Sequence, residues 1–580
     1  MSRRSFLLCV LLILAAGTAL RVAWLRADPP VTSVGIVWHD EGAWVHNARN
    51  RALFDTWRTD NWNPVFVTPV FTALEYAAFE AFGVGTWQAR TVPVLSGLAA
   101  VALLIAGLSA LAGRRVALFG GALLATNYIF VMWTRAALIE PTMTTFIVAG
   151  WAWYAMSARR PAWGAAAGVA AALAWFTKAA AAFFVAAIVL DALVTLTLAW
   201  TPALRRRLDV GAPASEVTRG AWLTLAGLAA AGGVIVALFV LPYWSEYRFY
   251  NWQMSVTRKP SYAVEDLLMR ASWLPIVQDF FSRMWLIVLG AMLATGGIAA
   301  RWRTAAPGER LLVLWVLVGL AELTVHDSGN ERRYLMFIPA LVALASLIAA
   351  GGVTLVPAAL QRAGLATRLA AVPLVLLLSY LVYGSLVRIP VLADIRAGDF
   401  STAVRLAAAL SAVTAIALVL RWPAAVARLS RLCVGPRLAA ALLAAAVVWN
   451  LGQFAWWAAR RTYYNHEASL ALGAALPSEA LVHGKLANGM ALENDIRPIF
   501  IGDGFGNYDD RLTRDDVRYI LTYTQPTVGY ESGQDGLLIR ELLEHYPDHR
   551  LVATFTVEET AGPDVAALFE KGPGELRARH

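Results

Sequence analysis

The sequence predicts a mainly α, polytopic transmembrane helical bundle with a small external α/β domain at the C-terminus. Three observations carry this expectation. Apolar runs recur, each long enough to cross a hydrocarbon core of ~30 Å, which takes about 20 residues. The chain is 58% hydrophobic and only 15% charged over 580 residues. From about Thr462 the long apolar runs give way to Gly, Asp, Glu and Arg. The net charge of +9 does not indicate nucleic acid, because the basic residues sit in short clusters between apolar runs, as in cytoplasmic loops. Two cysteines, Cys9 in the first apolar run and Cys433 in a basic loop, imply no disulfide framework and cannot form a metal site alone.

Taken in order, Ser2-Arg3-Arg4-Ser5-Phe6-Leu7-Leu8 resembles a twin-arginine export signal. Leu25-Arg26-Ala27 breaks the small-x-small cleavage pattern, so residues 5–25 read as an uncleaved first span. Residues 26–88 then form the first external loop. Within it, 66–82 is interrupted by Pro69 and carries Glu75 and Glu80, which suits a helix lying at the interface better than a span. Further spans are expected at 89–111, 116–133, 142–157, 163–177, 179–198, 222–241, 284–300, 311–325, 335–355, 370–386, 402–420 and 438–457, about 13 in all. Arg114-Arg115, Arg159-Arg160, Arg205-Arg206-Arg207 and Arg301 with Arg303 mark the inside loops and place the intervening ones outside. The transmembrane module thus covers 1–460. Residues 461–580 read as an extracytoplasmic α/β domain, with strands at 480–483, 498–501, 519–522 and 550–557 and helices at 465–475 and 536–546. Gly502-Asp503-Gly504-Phe505-Gly506 reads as a turn rather than a phosphate-binding loop.

The ionisable residues collect on the outer face. At membrane depth such groups cost several kcal/mol unless paired or hydrated, so their convergence marks a polar cavity. Asp40 and Glu41 open a helix over 42–56; capping stabilises by ~0.3–1 kcal/mol and accounts for one carboxylate, not two. Both are therefore candidate catalytic residues, with Asn47 and Arg51 on the same helix face in support. Arg135 and Glu140 flank a helix-to-helix turn, where a local salt bridge is the plainer reading. Lys178 separates two apolar spans, where interfacial snorkelling is the plainer reading. Arg332-Arg333-Tyr334 begins a span on the face where positive charge is disfavoured, which points to a bound anion. His326 stands at a helix end. Tyr243, Trp244, Tyr247, Arg248, Arg258 and Lys259 combine aromatic anchors with cations, fitting an aromatic belt or headgroup binding equally. Arg135, Glu140, Lys178, Arg248, Arg258, Lys259, His326, Arg332, Arg333 and Tyr334 are accordingly the donor- and acceptor-binding candidates. No cofactor is certain; a divalent metal near Asp40, Glu41 and His326 stays open, although the spacing is not a metal motif.

An outward cavity with carboxylates and cations suits transfer from a lipid-phosphate sugar. The cations stabilise charge on the departing phosphate, and a carboxylate takes the proton of an incoming hydroxyl or amine. In-line displacement inverts the anomeric centre. A transporter or flippase of a lipid-linked or anionic substrate is the alternative; it needs charges along a path through the bilayer, whereas only Asp191 and Glu322 stand out within the later spans.

His39-Asp40-Glu41-Gly42, Trp62-Asn63-Pro64 to Pro69 with Phe82-Gly83, Thr134-Arg135 to Glu140-Pro141, Phe176-Thr177-Lys178, and Arg333-Tyr334 with Pro339 follow one another in order. Over roughly Ser5 to Trp457 the chain thereby resembles bacterial family 39 glycosyltransferases. These are similar to protein O-mannosyltransferases and the lipid A aminoarabinose transferase, all of the GT-C fold. The resemblance implies an inner-membrane, polyprenyl-phosphate-sugar-dependent glycosyltransferase, Asp40 as base, and Glu140 and Lys178 near donor or acceptor. The partners it implies are a lipid-linked sugar donor, membrane lipids and a glycan, lipid or protein acceptor. The C-terminal domain shows no resemblance to those of eukaryotic protein mannosyltransferases, which argues against a protein acceptor.

Overall fold

The computed structural model describes residues 2–30, 38–208, 210–256, 263–266, 283–326, 331–351, 400–429, 435–502, 505–523, 534–559 and 562–572, with isolated positions between 361 and 372. The chain begins with α1 (Arg3–Val22), followed in the first loop by α2 (Asp40–Phe54) and α3 (Pro69–Phe82). The bundle continues with α4 (Thr91–Ala112), α5 (Arg114–Thr126), α6 (Ile139–Ser157), α7 (Ala162–Thr177), α8 (Ala182–Trp200) and α9 (Ser215–Ile235). Then come α10 (Trp244–Val256), α11 (Trp285–Ala300), α12 (Pro307–His326), α13 (Ile338–Gly351), α14 (Phe400–Leu420) and α15 (Pro436–Ala459).

Among the described residues, five helical stretches are long and apolar enough to cross a membrane: 3–22, 86–112, 179–200, 215–240 and 437–475. A bent pair, 409–420 with 422–428, adds a sixth if it is one span. The protein is a multi-pass membrane protein. Several expected spans are instead shorter or more enclosed helices. The one at 116–133 is broken, because the Asn127 side chain accepts from the Phe130 N–H and starts a second short helix, Tyr128–Trp133. α6 is buried along nearly its whole length. The expected span at 370–386 falls almost wholly outside the described residues.

Small residues set a tight helix contact within the bundle. A Cβ on Gly164 would stand 2.2 Å from the Gly220 carbonyl oxygen, and one on Gly168 would stand 2.1 Å from that of Thr224. A Cβ on Gly227 would stand 2.2 Å from the Ala165 carbonyl oxygen. The backbones of α7 and α9 therefore touch, as small-residue stripes allow in lipid.

The C-terminal unit contains α16 (Tyr464–Ala475), β1 (Leu481–His483), α17 (Lys485–Gly489), β2 (Arg497–Ile499), β3 (Ile501–Gly502), β4 (Phe505–Gly506), β5 (Tyr519–Tyr523), α18 (Gln534–His545), β6 (Arg550–Glu559) and β7 (Gly562–Glu570). Its main sheet has the order β2-β1-β5-β7-β6. β1 runs parallel to β2 and β5, and β7 is antiparallel to β5 and β6. β3 and β4 pair antiparallel. β7 has no counterpart among the expected strands. Its Ala566-Ala567-Leu568 centre is wholly buried, so the apolar/polar alternation that marks a half-exposed strand is missing.

The two units share core side chains. Trp38 of the first loop belongs to the cluster of Leu472, Val482, Leu486, Met490 and Leu521. In return, Phe500 stacks on Trp62, with ring centroids 4.6 Å apart.

Candidate active site

α2 is hydrophilic, yet its first eleven residues, Asp40 to Asn50, are all buried. A polar helix is buried only where each polar group finds a partner. Asn47 donates to the Trp57 carbonyl (2.6 Å) and to Asn63 Oδ1 (2.9 Å), and accepts from Val65 N–H (3.0 Å). His46 Nε2 lies 3.0 Å from Asp60 Oδ1. Arg49 donates to the Ala491, Asn494 and Ile496 carbonyls of the C-terminal unit at 2.9, 2.8 and 3.0 Å. Asn47 therefore supports α2 through the loop that follows it, and Arg51 pairs locally with Asp55 at 2.8 Å.

At the first turn of α2 the two adjacent carboxylates diverge. Consecutive helical residues point about 100° apart, so they do not serve one centre from a single face. Glu41 Oε1 and Oε2 accept from Arg90 Nε and Nη2 at 2.8 and 2.6 Å, and Oε1 also accepts from the Ala137 N–H at 2.7 Å. Arg90 also donates to the Leu25 and Ala27 carbonyls at 2.6 and 2.8 Å. Glu41 is thus a buried pin joining the first loop to the bundle. Its partners are different from those of Asp40, the other expected catalytic residue.

Asp40 enters an alternating chain of charges. Its Oδ1 lies 2.9 Å from Lys485 Nζ and its Oδ2 lies 2.5 Å from Arg332 Nη1. Arg332 Nε lies 3.5 Å from Glu140 Oε1, which is 2.6 Å from Lys178 Nζ. The order is Lys485, Asp40, Arg332, Glu140, Lys178: three formal cations against two carboxylates. Each comes from a different element: α17, α2, the 3-10 turn Glu331–Phe337, the first turn of α6, and the break after α7. Burial alone would raise the Asp40 pKa, but the facing Lys485 ammonium and Arg332 guanidinium outweigh it and hold the carboxyl well below its usual range. Burial lowers Lys178 to about 8, against the pull of Glu140. Glu140 Oε2 is buried without a hydrogen-bond partner among the described residues.

The other expected site residues fall elsewhere. Arg135 does not pair with Glu140. It donates to the Leu20, Arg21 and Trp24 carbonyls at 2.7, 2.9 and 2.9 Å and lies over the Trp457 ring, so it caps α1. Arg333 is half-buried and close enough to Lys178 to oppose its protonation. Tyr334 is fully enclosed in the bundle core. Arg248 is exposed on α10 and stands apart from the charge chain. Arg258 and Lys259 lie outside the described residues, as does the side chain of His326 at the end of α12. Among the described residues no group of three or more His, Cys, Asp or Glu could hold a metal. Asp191, the interior exception, accepts from Arg310 Nε at 2.7 Å and from the Tyr154 hydroxyl at 2.8 Å, which gives it a structural role. Lys485 went unnoticed in the sequence, where it follows a short strand in a separate domain and carries no motif.

A family model described as dolichyl-phosphate-mannose-protein mannosyltransferase matches residues 66–212. ArnT from Cupriavidus metallidurans in the apo state is 18% identical, with 96% of this chain and 97% of that one covered and a TM-score of 0.51. The fold is that of the GT-C glycosyltransferases. ArnT bound to undecaprenyl phosphate gives 17% identity, 97% coverage of both chains and a TM-score of 0.48. The Archaeoglobus fulgidus oligosaccharyltransferase tethered with an acceptor peptide gives 12% identity, covers 94% of this chain and 71% of that one, and has a TM-score of 0.47. No curated protein matches this chain in sequence. The family-model match begins in the loop before α3 and runs through Glu140 and Lys178, while Asp40, Arg332 and Lys485 lie outside it.

Proposed function

We propose that this protein is an integral-membrane glycosyltransferase that moves a sugar from a polyprenyl-phosphate donor to an acceptor on the outer, periplasmic side of the inner membrane, with inversion. The observation that carries this reading is the chain from Lys485 to Lys178. Its excess of cations suits one phosphate, and it includes Asp40, the first residue of α2, as a carboxylate able to take a proton. The apolar helices around it provide a path for a polyprenyl tail.

In this reading Arg332 and Lys178 bind the donor phosphate, and Asp40 takes the proton from the acceptor hydroxyl or amine as it attacks the anomeric carbon. The departing phosphate needs no general acid, because the cations stabilise its charge. Glu140 orients Arg332 and Lys178, and its second oxygen accepts from the acceptor. The C-terminal unit lies on the same outer face.

The test is mass spectrometry of envelope lipids, polysaccharides and proteins from cells lacking the gene, complemented by the wild type or by Asp40→Asn. The wild type restores a missing sugar. Asp40→Asn is expected to insert normally and to lower transfer by about 10²–10⁴-fold, the usual contribution of a general base. Full transfer by Asp40→Asn sinks the assignment of the base, and an unchanged envelope in the deletion sinks the enzymatic reading.

A further inference from the structure

Close backbone contact brings Lys485 to Asp40. A Cβ on Gly42 would stand 1.8 Å from the Asn488 carbonyl oxygen, and one on Gly489 would stand 2.6 Å from His39 Cα. Glycine at both positions lets α17 lie directly on the first turn of α2. Asn488 Nδ2 lies 3.1 Å from His46 Nδ1, and the three Arg49 bonds hold the same seam. Phe500 N–H donates to Asp60 Oδ2 at 2.9 Å, and Thr86 N–H to Glu493 Oε1 at 2.9 Å. Docking is therefore secured by many contacts other than Lys485. The Lys485 side chain is 9% exposed, and burying an ammonium costs several kcal/mol that pairing only partly offsets. A neutral side chain would dock the domain with less desolvation. The charge has another use.

We propose that Lys485 is a donor-phosphate ligand supplied by the C-terminal domain, which pairs with Asp40 until a donor enters and then transfers to the lipid phosphate. This rests on the glycosyltransferase reading above and makes the C-terminal domain a part of the active site. A carboxylate with both oxygens held by cations is a poor base. A phosphate beside Arg332 competes for Lys485, whose flexible four-carbon stem lets it follow. Asp40 Oδ1 is then released and its basicity rises. The acceptor oxygen or nitrogen forms its bond to the anomeric carbon while the bond from that carbon to the phosphate oxygen breaks. The electron pair leaves with the polyprenyl phosphate, the acceptor proton passes to Asp40, and Lys485 and Arg332 face the growing charge. The base is armed only after the phosphate is bound.

The experiment measures binding of undecaprenyl phosphate to the purified full-length protein in detergent, for wild type, Lys485→Met, Lys485→Arg and Asn488→Ala. Loss of one charge-assisted contact is expected to weaken Lys485→Met by about ten-fold or more. Lys485→Arg, which keeps the charge, is expected to stay within about three-fold of wild type. Asn488→Ala, which loosens the seam and keeps the ammonium, is expected to bind as wild type does. If Lys485→Met does not insert, Lys485→Gln takes its place, since it keeps a hydrogen bond to Asp40 without the charge. Wild-type affinity in the uncharged variant overturns the proposal and leaves Lys485 as a docking ion pair. Equal loss in Asn488→Ala also overturns it, because domain position rather than the ammonium would then govern binding. Absence of binding by the wild type removes the glycosyltransferase reading and this proposal together.

Discussion

Removing Arg90 tests whether Glu41 is structural, apart from Asp40, the base proposed above. Arg90→Met deletes two bonds to Glu41 and two to the Leu25 and Ala27 carbonyls. It leaves Glu41, whose side chain is 4% exposed, still accepting from the Ala137 N–H but without its guanidinium. Breaking a buried ion pair from one side costs about 3–5 kcal/mol, because the abandoned charge stays desolvated. Glu41→Gln should cost less, since Arg90 keeps its two carbonyl partners. The double variant removes both charges, so its loss should fall short of the sum by at least about 1 kcal/mol, as for side chains in direct contact. Reversible unfolding in mixed micelles gives these free energies. Turnover per folded molecule should change little in Glu41→Gln, in contrast to Asp40→Asn. An Arg90→Met cost below about 1 kcal/mol would refute the pin. A well-folded Glu41→Gln without turnover would return Glu41 to the chemistry.

Two further outcomes concern the scaffold. Gly168→Val places branched carbons where the Thr224 carbonyl already stands, so α7 and α9 must separate; loss of most folded protein in size-exclusion chromatography is expected, while Gly232→Val, with open space around it, should be tolerated. His483 is buried with both ring nitrogens unpartnered among the described residues, and burial, with Lys571 and Arg514 nearby, pushes its pKa down to about 2. The folded protein therefore keeps it neutral while the unfolded chain takes up a proton below about 6.5, so stability is lost as pH falls, by about 2 kcal/mol at about pH 5. His483→Leu should flatten that dependence in thermal unfolding from about pH 7.5 to about pH 5; parallel curves would count against it.

The membrane class, the mainly helical fold with a small sheet near the C-terminus, and Asp40 as a charge at a helix start were legible in the sequence. Each depends on local properties: apolar run length, composition, and a carboxylate at a helix start. Glu140, Lys178 and Arg332 were legible as charges at helix ends, because ionisable groups there need a reason. Their partners were not. Arg135 and Glu140 look like a pair, yet Arg135 turns to the end of α1 and Glu140 to Lys178 and Arg332. The sequence by itself determined which groups are costly to place near a bilayer. The tertiary structure alone decided which opposite charge satisfies each one. It gave the adjacent Asp40 and Glu41 separate partners, and it brought Lys485 from a distant domain to Asp40, because two glycines allow α17 and α2 to meet. Pairing depends on position to within a few ångströms, and residue type at one position carries no record of a partner hundreds of residues away.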